Sequence, residues 1–80
     1  MRLEFRSRLT GKEFRTNVKP LSMERDGNWR TWKMPERFCK RFWGSRYQGM
    51  RYQIDILWGV FWCPCIVGKD WISFYTGDCW

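Results

Sequence analysis

Four cysteines hold most of the covalent chemistry open to this 80-residue sequence: Cys39 alone, Cys63 and Cys65 flanking Pro64, and Cys79 near the end. Four thiolates can close a tetrahedral zinc site. Paired structural ligands usually have two residues between them, and here a single residue separates Cys63 from Cys65. On a strand, residues two apart point the same way, so both could reach one metal. Cys39 and Cys79 would have to converge on them, the latter by folding the tail back. A disulfide is the other alternative. Free cysteines ordinarily pack as small hydrophobes, so buried thiols with no metal and no cofactor are expected.

The remaining candidates for catalysis are sparse. General acid–base chemistry most often uses His, and there is none. A cysteine nucleophile needs a neighbouring base to hold it as thiolate. The carboxylates Glu4, Glu13, Glu24, Asp26, Glu36, Asp55, Asp70 and Asp78 are scattered, mostly beside basic residues, as on a solvated, charge-balanced surface. No glycine loop suited to cradling phosphate is present. The chain is expected not to be an enzyme.

Basic residues interleaved with aromatics form the broadest feature. Between positions 37 and 52 the sequence places Arg37, Lys40, Arg41, Arg46 and Arg51 among Phe38, Phe42, Trp43, Tyr47 and Tyr52. Arg and Lys neutralise phosphates, and exposed rings stack on bases at about 1–3 kcal/mol each. Such a segment could bind single-stranded nucleic acid, with Trp43, Tyr47 and Tyr52 as the rings that decide it. The bland alternative makes Phe38 and Phe42 core and the cations a solvated face. A second basic set, Arg2, Arg6, Arg8 and Arg15, is expected along the outer face of the first hairpin, where four guanidiniums would repel one another without a partner.

The elements that position these residues follow from periodicity. Arg2–Leu9 alternates, with Leu3, Phe5 and Leu9 inward. After the turn Thr10-Gly11-Lys12, Glu13–Val18 alternates again, with Phe14 and Val18 inward, giving a β-hairpin that ends at Pro20. Asp26-Gly27 signals a second hairpin between Leu21–Arg25 and Asn28–Lys33. Pro35, Glu36 and Gly44 frame a helix over Pro35–Trp43, with Phe38 and Phe42 on one side and Lys33, Arg37, Lys40 and Arg41 nearly opposite. Ser45–Met50 reads as a connector. Arg51–Trp58 alternates with Tyr52, Ile54, Ile56 and Trp58 inward, and Gly59 marks a bulge or bend. Val60–Val67 suits a central strand, although Pro64 argues against full ladder pairing. Gly68-Lys69-Asp70 is a turn and Trp71–Tyr75 the last strand. The sum is one α+β domain over residues 1–80: an antiparallel sheet of hairpins with one short amphipathic helix.

Composition bounds the partners. Sixteen residues are aromatic, seven of them Trp, enough to stabilise a core in a chain this small. Net charge is +7, and ten of the fifteen basic residues are Arg, whose planar fork suits phosphate and carboxylate. Fourteen of the fifteen bases precede residue 54, so the charge is concentrated in the first two thirds. Met1-Arg2-Leu3-Glu4 does not read as a signal peptide, and the longest apolar run, Ile56–Val67, is too short to span a bilayer. A cytoplasmic protein with reduced cysteines is therefore expected.

Two functions follow. The first is a basic, Trp- and Arg-rich module that docks on the acidic surface of a partner protein, with Arg steering and Trp anchoring. By analogy with small catalysis-free proteins of phages and mobile elements, its use would be inhibition of a host nucleic-acid-handling machine such as a nuclease or defence complex. The second is direct binding of single-stranded nucleic acid. Membrane attachment is not expected, because the basic stripe is only one short helix long. Open sheet edges and surplus Trp also admit a homodimer.

Overall fold

The structure, a computed structural model, describes residues 2–44 and 51–79, with the side chains of Arg51, Tyr52 and Asp78 not described. The expected connector Ser45–Met50, the site residues Arg46 and Tyr47, and Trp80 lie outside the described residues, as do the side chains expected of Arg51 and Tyr52.

The first hairpin joins β1 (Leu3–Ser7) to β2 (Glu13–Thr16) in the register Leu3↔Thr16 and Phe5↔Phe14. Gly11, at φ +73°, supplies the turn conformation that L side chains avoid. β1 is shorter than its alternation suggests. The Ser7 hydroxyl accepts hydrogen bonds from the amides of Leu9 and Thr10 at 3.2 and 3.4 Å, which curls the chain out of the strand. Ser7 thus takes the last inward position, and Leu9, expected inside, is 49% exposed. The second hairpin, β3 (Ser22–Asp26) with β4 (Trp29–Lys33), turns through Gly27 at φ +61°. The meander follows as β5 (Arg51–Trp58), β6 (Phe61–Val67) and β7 (Trp71–Tyr75).

All seven strands form one antiparallel sheet in the order β2-β1-β5-β6-β7-β4-β3. Each hairpin docks on the meander through its inner strand, β1 on β5 and β4 on β7. With one short helix the fold is a mostly-sheet α+β arrangement, and no described helix is long and apolar enough to cross a membrane. Gly59, read as a bulge or bend, is instead part of the two-residue turn between β5 and β6, where Trp58 faces Phe61 across the closing pair. The irregularity in β5 lies between Arg51 and Ile54. Pro64 sits in the middle of the sheet opposite Asp55. Hydrogen-bonded pairs alternate from the tight turn, so the Pro64 nitrogen faces β7 rather than β5. The β6–β7 ladder covers only Cys65–Val67, and the missing donor costs no ladder bond.

Cross-strand register assembles the core in rows. Phe5, Ile56 and Cys63 lie side by side, as do Ile54, Cys65 and Phe74, and then Val67, Ile72 and Trp32. Helix α1 (Glu36–Phe42) covers this face with Phe38 and Cys39, entered through the buried Met34 and ended at Gly44, which has φ +55°. No side chain caps its start. The approach is instead tied down by the Met34 amide, which donates to the Asp70 carbonyl at 2.8 Å.

Trp43 corrects the sequence reading. Proposed as an exposed ring for a partner, it is 3% exposed. It meets Phe5 edge-on at 5.4 Å and Phe38 at 5.5 Å, and its indole N–H donates to the Gly68 carbonyl at 3.0 Å. A buried Trp needs such an acceptor, and the β6–β7 turn supplies it. Trp58 departs the other way: it faces the core side in register but stays 39% exposed, resting against Trp32 and Phe74. The helix does not reach that end. Truncating Trp43 to Ala should therefore cost about 3–5 kcal/mol of stability, measured by urea unfolding.

Candidate functional site

The outer face of the first hairpin is not a free array of guanidiniums. Arg6 lies directly across from Asp55, and its guanidinium reaches that carboxylate at 3.5 Å while sitting 4.4 Å from the centre of the Trp62 ring. Arg8 approaches the same carboxylate at 2.7 Å through Nη2 and at 3.0 and 3.1 Å through Nε. Arg15 pairs with Glu4 at 3.0 Å. Of the four arginines expected to dock a partner there, Arg6, Arg8 and Arg15 thus have acids within the chain, and Arg2 is exposed. The repulsion expected between them is offset by Asp55, which is 1% exposed. Alternation puts Asp55 opposite Ile54 and Ile56, on the open face. Its burial comes from Arg6 and Arg8, which no local pattern announces.

The cations of α1 behave differently. Arg37, Lys40 and Arg41 are exposed, and none makes an ion pair with a described residue. Their placement follows from helical periodicity, since Phe38 and Cys39 turn into the core and leave these positions outside. The edge strand β2 runs beside the helix, and Phe14 meets Phe42 edge-on at 6.0 Å. Two recesses open between them. One, of about 330 Å³, lies between Thr16 and Val18 on the strand side and Arg37, Phe38 and Phe42 on the helix side. The other, of about 450 Å³, lies between Lys12 and Phe14 and the side chains of Lys40 and Phe42. Arg41 and Phe42 line both, so the two recesses adjoin at these side chains, and the groove between α1 and β2 that they mark has an aromatic floor and a basic rim. Lys12 was not singled out from the sequence. Only its position at the end of β2, facing the helix, brings it into the set.

The cysteines divide into two fates. Cys63 and Cys79 form a disulfide, whereas Cys39 and Cys65 are buried free thiols. The expectation of four reduced thiols is thus corrected for one pair, and the four-thiolate zinc set is not formed, because two of its members are bonded to each other. The bond depends on a single 3-10 turn, Thr76–Asp78, which folds the tail back toward β6. Burial pushes the Cys39 thiol up to about 11, with Asp70 adding to the effect, and raises Cys65 well above its ordinary value. Neither thiol is a nucleophile at neutral pH.

The exposed apolar residues lie on other elements. Trp29, Trp58 and Trp71 are partly open on β4, β5 and β7, Val60 in the β5–β6 turn is 82% exposed, and Phe61 at the start of β6 is 55% exposed. Basic residues also meet exposed rings on the sheet, where the Arg30 guanidinium lies 5.9 Å from the centre of the Trp58 ring and Lys33 stands across from Trp71.

Two measurements test this geometry. Replacing Asp55 by Asn should cost about 1–3 kcal/mol in urea unfolding, because two partly buried guanidiniums lose a charged acceptor. The raised thiols predict a pH effect of definite sign. Folding holds Cys39 protonated, while the unfolded thiol ionises near 9.0, so this stability is complete below pH 9 and is lost as pH rises toward about 11. The unfolding midpoint should fall across that interval, and a Cys39→Ala/Cys65→Ala variant should show a flatter profile.

No protein-family model matches this chain, and neither does any characterised protein or solved structure.

Proposed function

We propose that this chain is a small non-enzymatic docking module that binds an acidic surface of a partner protein in the groove between α1 and β2. The observation that supports this reading is the set Arg37, Lys40 and Arg41: exposed cations without a described internal acid, rimming recesses floored by Phe38 and Phe42. Guanidinium forks match carboxylates in two-pronged geometry. An aromatic floor beside them offers the apolar contact that dominates protein interfaces, where Arg and aromatic residues are the usual anchors. Inhibition of a host nucleic-acid-handling machine is a use that suits such a module, by analogy only.

Direct binding of single-stranded nucleic acid is the competing reading. It drew on the cations of the segment 37–52 and the hairpin arginines as phosphate ligands, and on Trp43, Tyr47 and Tyr52 as stacking rings, of which Tyr47 and the Tyr52 side chain lie outside the described residues. Trp43 is occupied in the core, and Arg6, Arg8 and Arg15 already hold carboxylates. A chain of this charge still binds nucleic acid weakly through its phosphates, so weak binding does not distinguish the two.

Capture from lysate on the immobilised chain, with and without nuclease, separates them. The proposal expects a stoichiometric protein band that survives nuclease and is lost when Arg37→Glu and Arg41→Glu are combined. Loss of all bands on nuclease treatment would replace it with nucleic-acid binding.

A further inference from the structure

The groove has one wall that is not a side-chain surface. β2 is the first strand of the sheet, and no described strand pairs with its outer edge. Which of its backbone groups face outward follows from the ladder. The Ser7 amide donates to the Lys12 carbonyl at 2.9 Å, so the hydrogen-bonded pairs of this hairpin continue through Phe5↔Phe14 and Leu3↔Thr16. Residues between them turn their amides and carbonyls the other way. Glu13 and Arg15 therefore present backbone donors and acceptors away from β1, along the open side of the strand. On the opposite flank of β1 the same alternation is seen, where the Arg8 amide donates to the Gln53 carbonyl at 2.9 Å.

Side chains on β2 obey the complementary rule. Phe14 and Thr16 share the face turned toward α1, and together with Lys12 and Val18, which flank the strand, they line the two recesses. A strand laid against the outer edge of β2 would place its alternate side chains on that same face, roughly 6.5–7 Å apart. They would enter the groove under Arg37, Lys40 and Arg41, flanked by Lys12.

We infer that the partner segment is an extended acidic peptide that adds to β2 as an eighth strand, with main-chain hydrogen bonds to Glu13 and Arg15 and alternate side chains seated between β2 and α1. This rests on the docking function proposed above and specifies the form of its ligand. Strand addition combines backbone pairing for affinity with side-chain recesses for specificity, and the groove provides both. The four rim cations select carboxylates on the added strand, while Phe14 and Phe42 contact its apolar positions. At the other edge, β3 carries Glu24, Arg25 and Asp26, all exposed, with no described helix beside it. Exposed charges of both signs stand on β2 as well, at Glu13 and Arg15. Of the two edges, however, only β2 has a described helix alongside to form side-chain recesses, which directs strand addition there.

Arg15 provides the decisive variant, because its amide faces outward and losing that amide breaks no backbone bond to β1. Arg15→Ala and Arg15→Pro lose the Glu4 ion pair alike. Proline is tolerated at such an edge position. The probe is a set of labelled peptides, about 12 residues long, recovered from a random display library panned on the full chain; selection should enrich Asp and Glu among extended sequences. Arg15→Ala removes the charge and keeps the amide, and should bind them within about 3-fold of the original chain. Arg15→Pro should weaken binding at least ~10-fold while retaining a cooperative melt. A peptide methylated on alternate amide nitrogens gives an independent reading: one of the two alternate sets should abolish binding and the other leave it intact. Equal binding by Arg15→Pro and Arg15→Ala, or equal effects of the two methylation patterns, would overturn strand addition. If Arg41→Glu still weakens the same peptides in that case, docking in the groove stands without it. If none of these changes matters, both readings fall. A library yielding no peptide that binds below ~100 μM overturns strand addition, and leaves lysate capture to decide on docking.

Discussion

Seven strands at roughly 4.8 Å spacing make a sheet about 29 Å wide, whereas a seven-residue helix is only about 10 Å long. One such helix has to bury the apolar face of this sheet, and the rest of the structure is an accommodation to that mismatch. α1 sits where bulk is greatest, with Phe38 and Trp43 closing over Phe5. Beyond its reach the sheet covers itself with rings, Trp32, Phe74 and Trp58 packing on one another. The aromatic richness of the chain is thus partly a covering material. Where rings run out, at the β5–β6 turn, Val60 and Phe61 remain in water.

Among the described residues the opposite face carries no helix, and around Asp55 charge takes the place of bulk. Asp55 stands at the middle of the sheet beside Pro64, under the guanidiniums of Arg6 and Arg8 and next to the Trp62 ring that Arg6 overlies. An unpaired carboxylate at that depth would be strongly destabilising, and two guanidiniums with several hydrogen bonds offset the loss of water. This use of arginine separates the basic residues into two populations. Those on the hairpin hold the open face together. Those on α1 have no described acid opposite them, and they rim a groove whose other wall is a strand edge with no described partner. The site comes from the difference between these populations rather than from the total charge.

The disulfide belongs to the same economy of cover. Cys63 lies in the core row with Phe5 and Ile56, and Cys79 reaches it only because the chain after β7 winds through a 3-10 turn back over β6. Thr76 is held by the Asn28 carbonyl through both its amide and its hydroxyl, at 2.8 and 2.9 Å. That contact joins the tail to the turn of the second hairpin and aims Cys79 inward. The two remaining thiols fill small gaps, one under the helix and one in the central strand, as uncharged apolar groups.

The element list was legible in the residues themselves. Period-two alternation, turn glycines and the Pro35–Gly44 frame placed both hairpins, the helix and the meander within a residue or two, and Trp71–Tyr75 to the residue. The outward cations of α1 were legible for the same reason, since helical spacing alone puts Arg37, Lys40 and Arg41 opposite Phe38. Alternation and turn chemistry are properties of neighbouring residues, and a single sequence contains them in full. Which strand pairs with which was not legible, nor were the burial of Trp43 and Asp55, the exposure of Trp58 and Leu9, the Cys63–Cys79 bond, or the arrival of Lys12 at the groove. Each of these depends on a residue far away in the chain: Gly68 for Trp43, Arg6 and Arg8 for Asp55, the reach of α1 for Trp58. Burial and pairing are decided where surfaces meet, and only the assembled sheet brings those surfaces together.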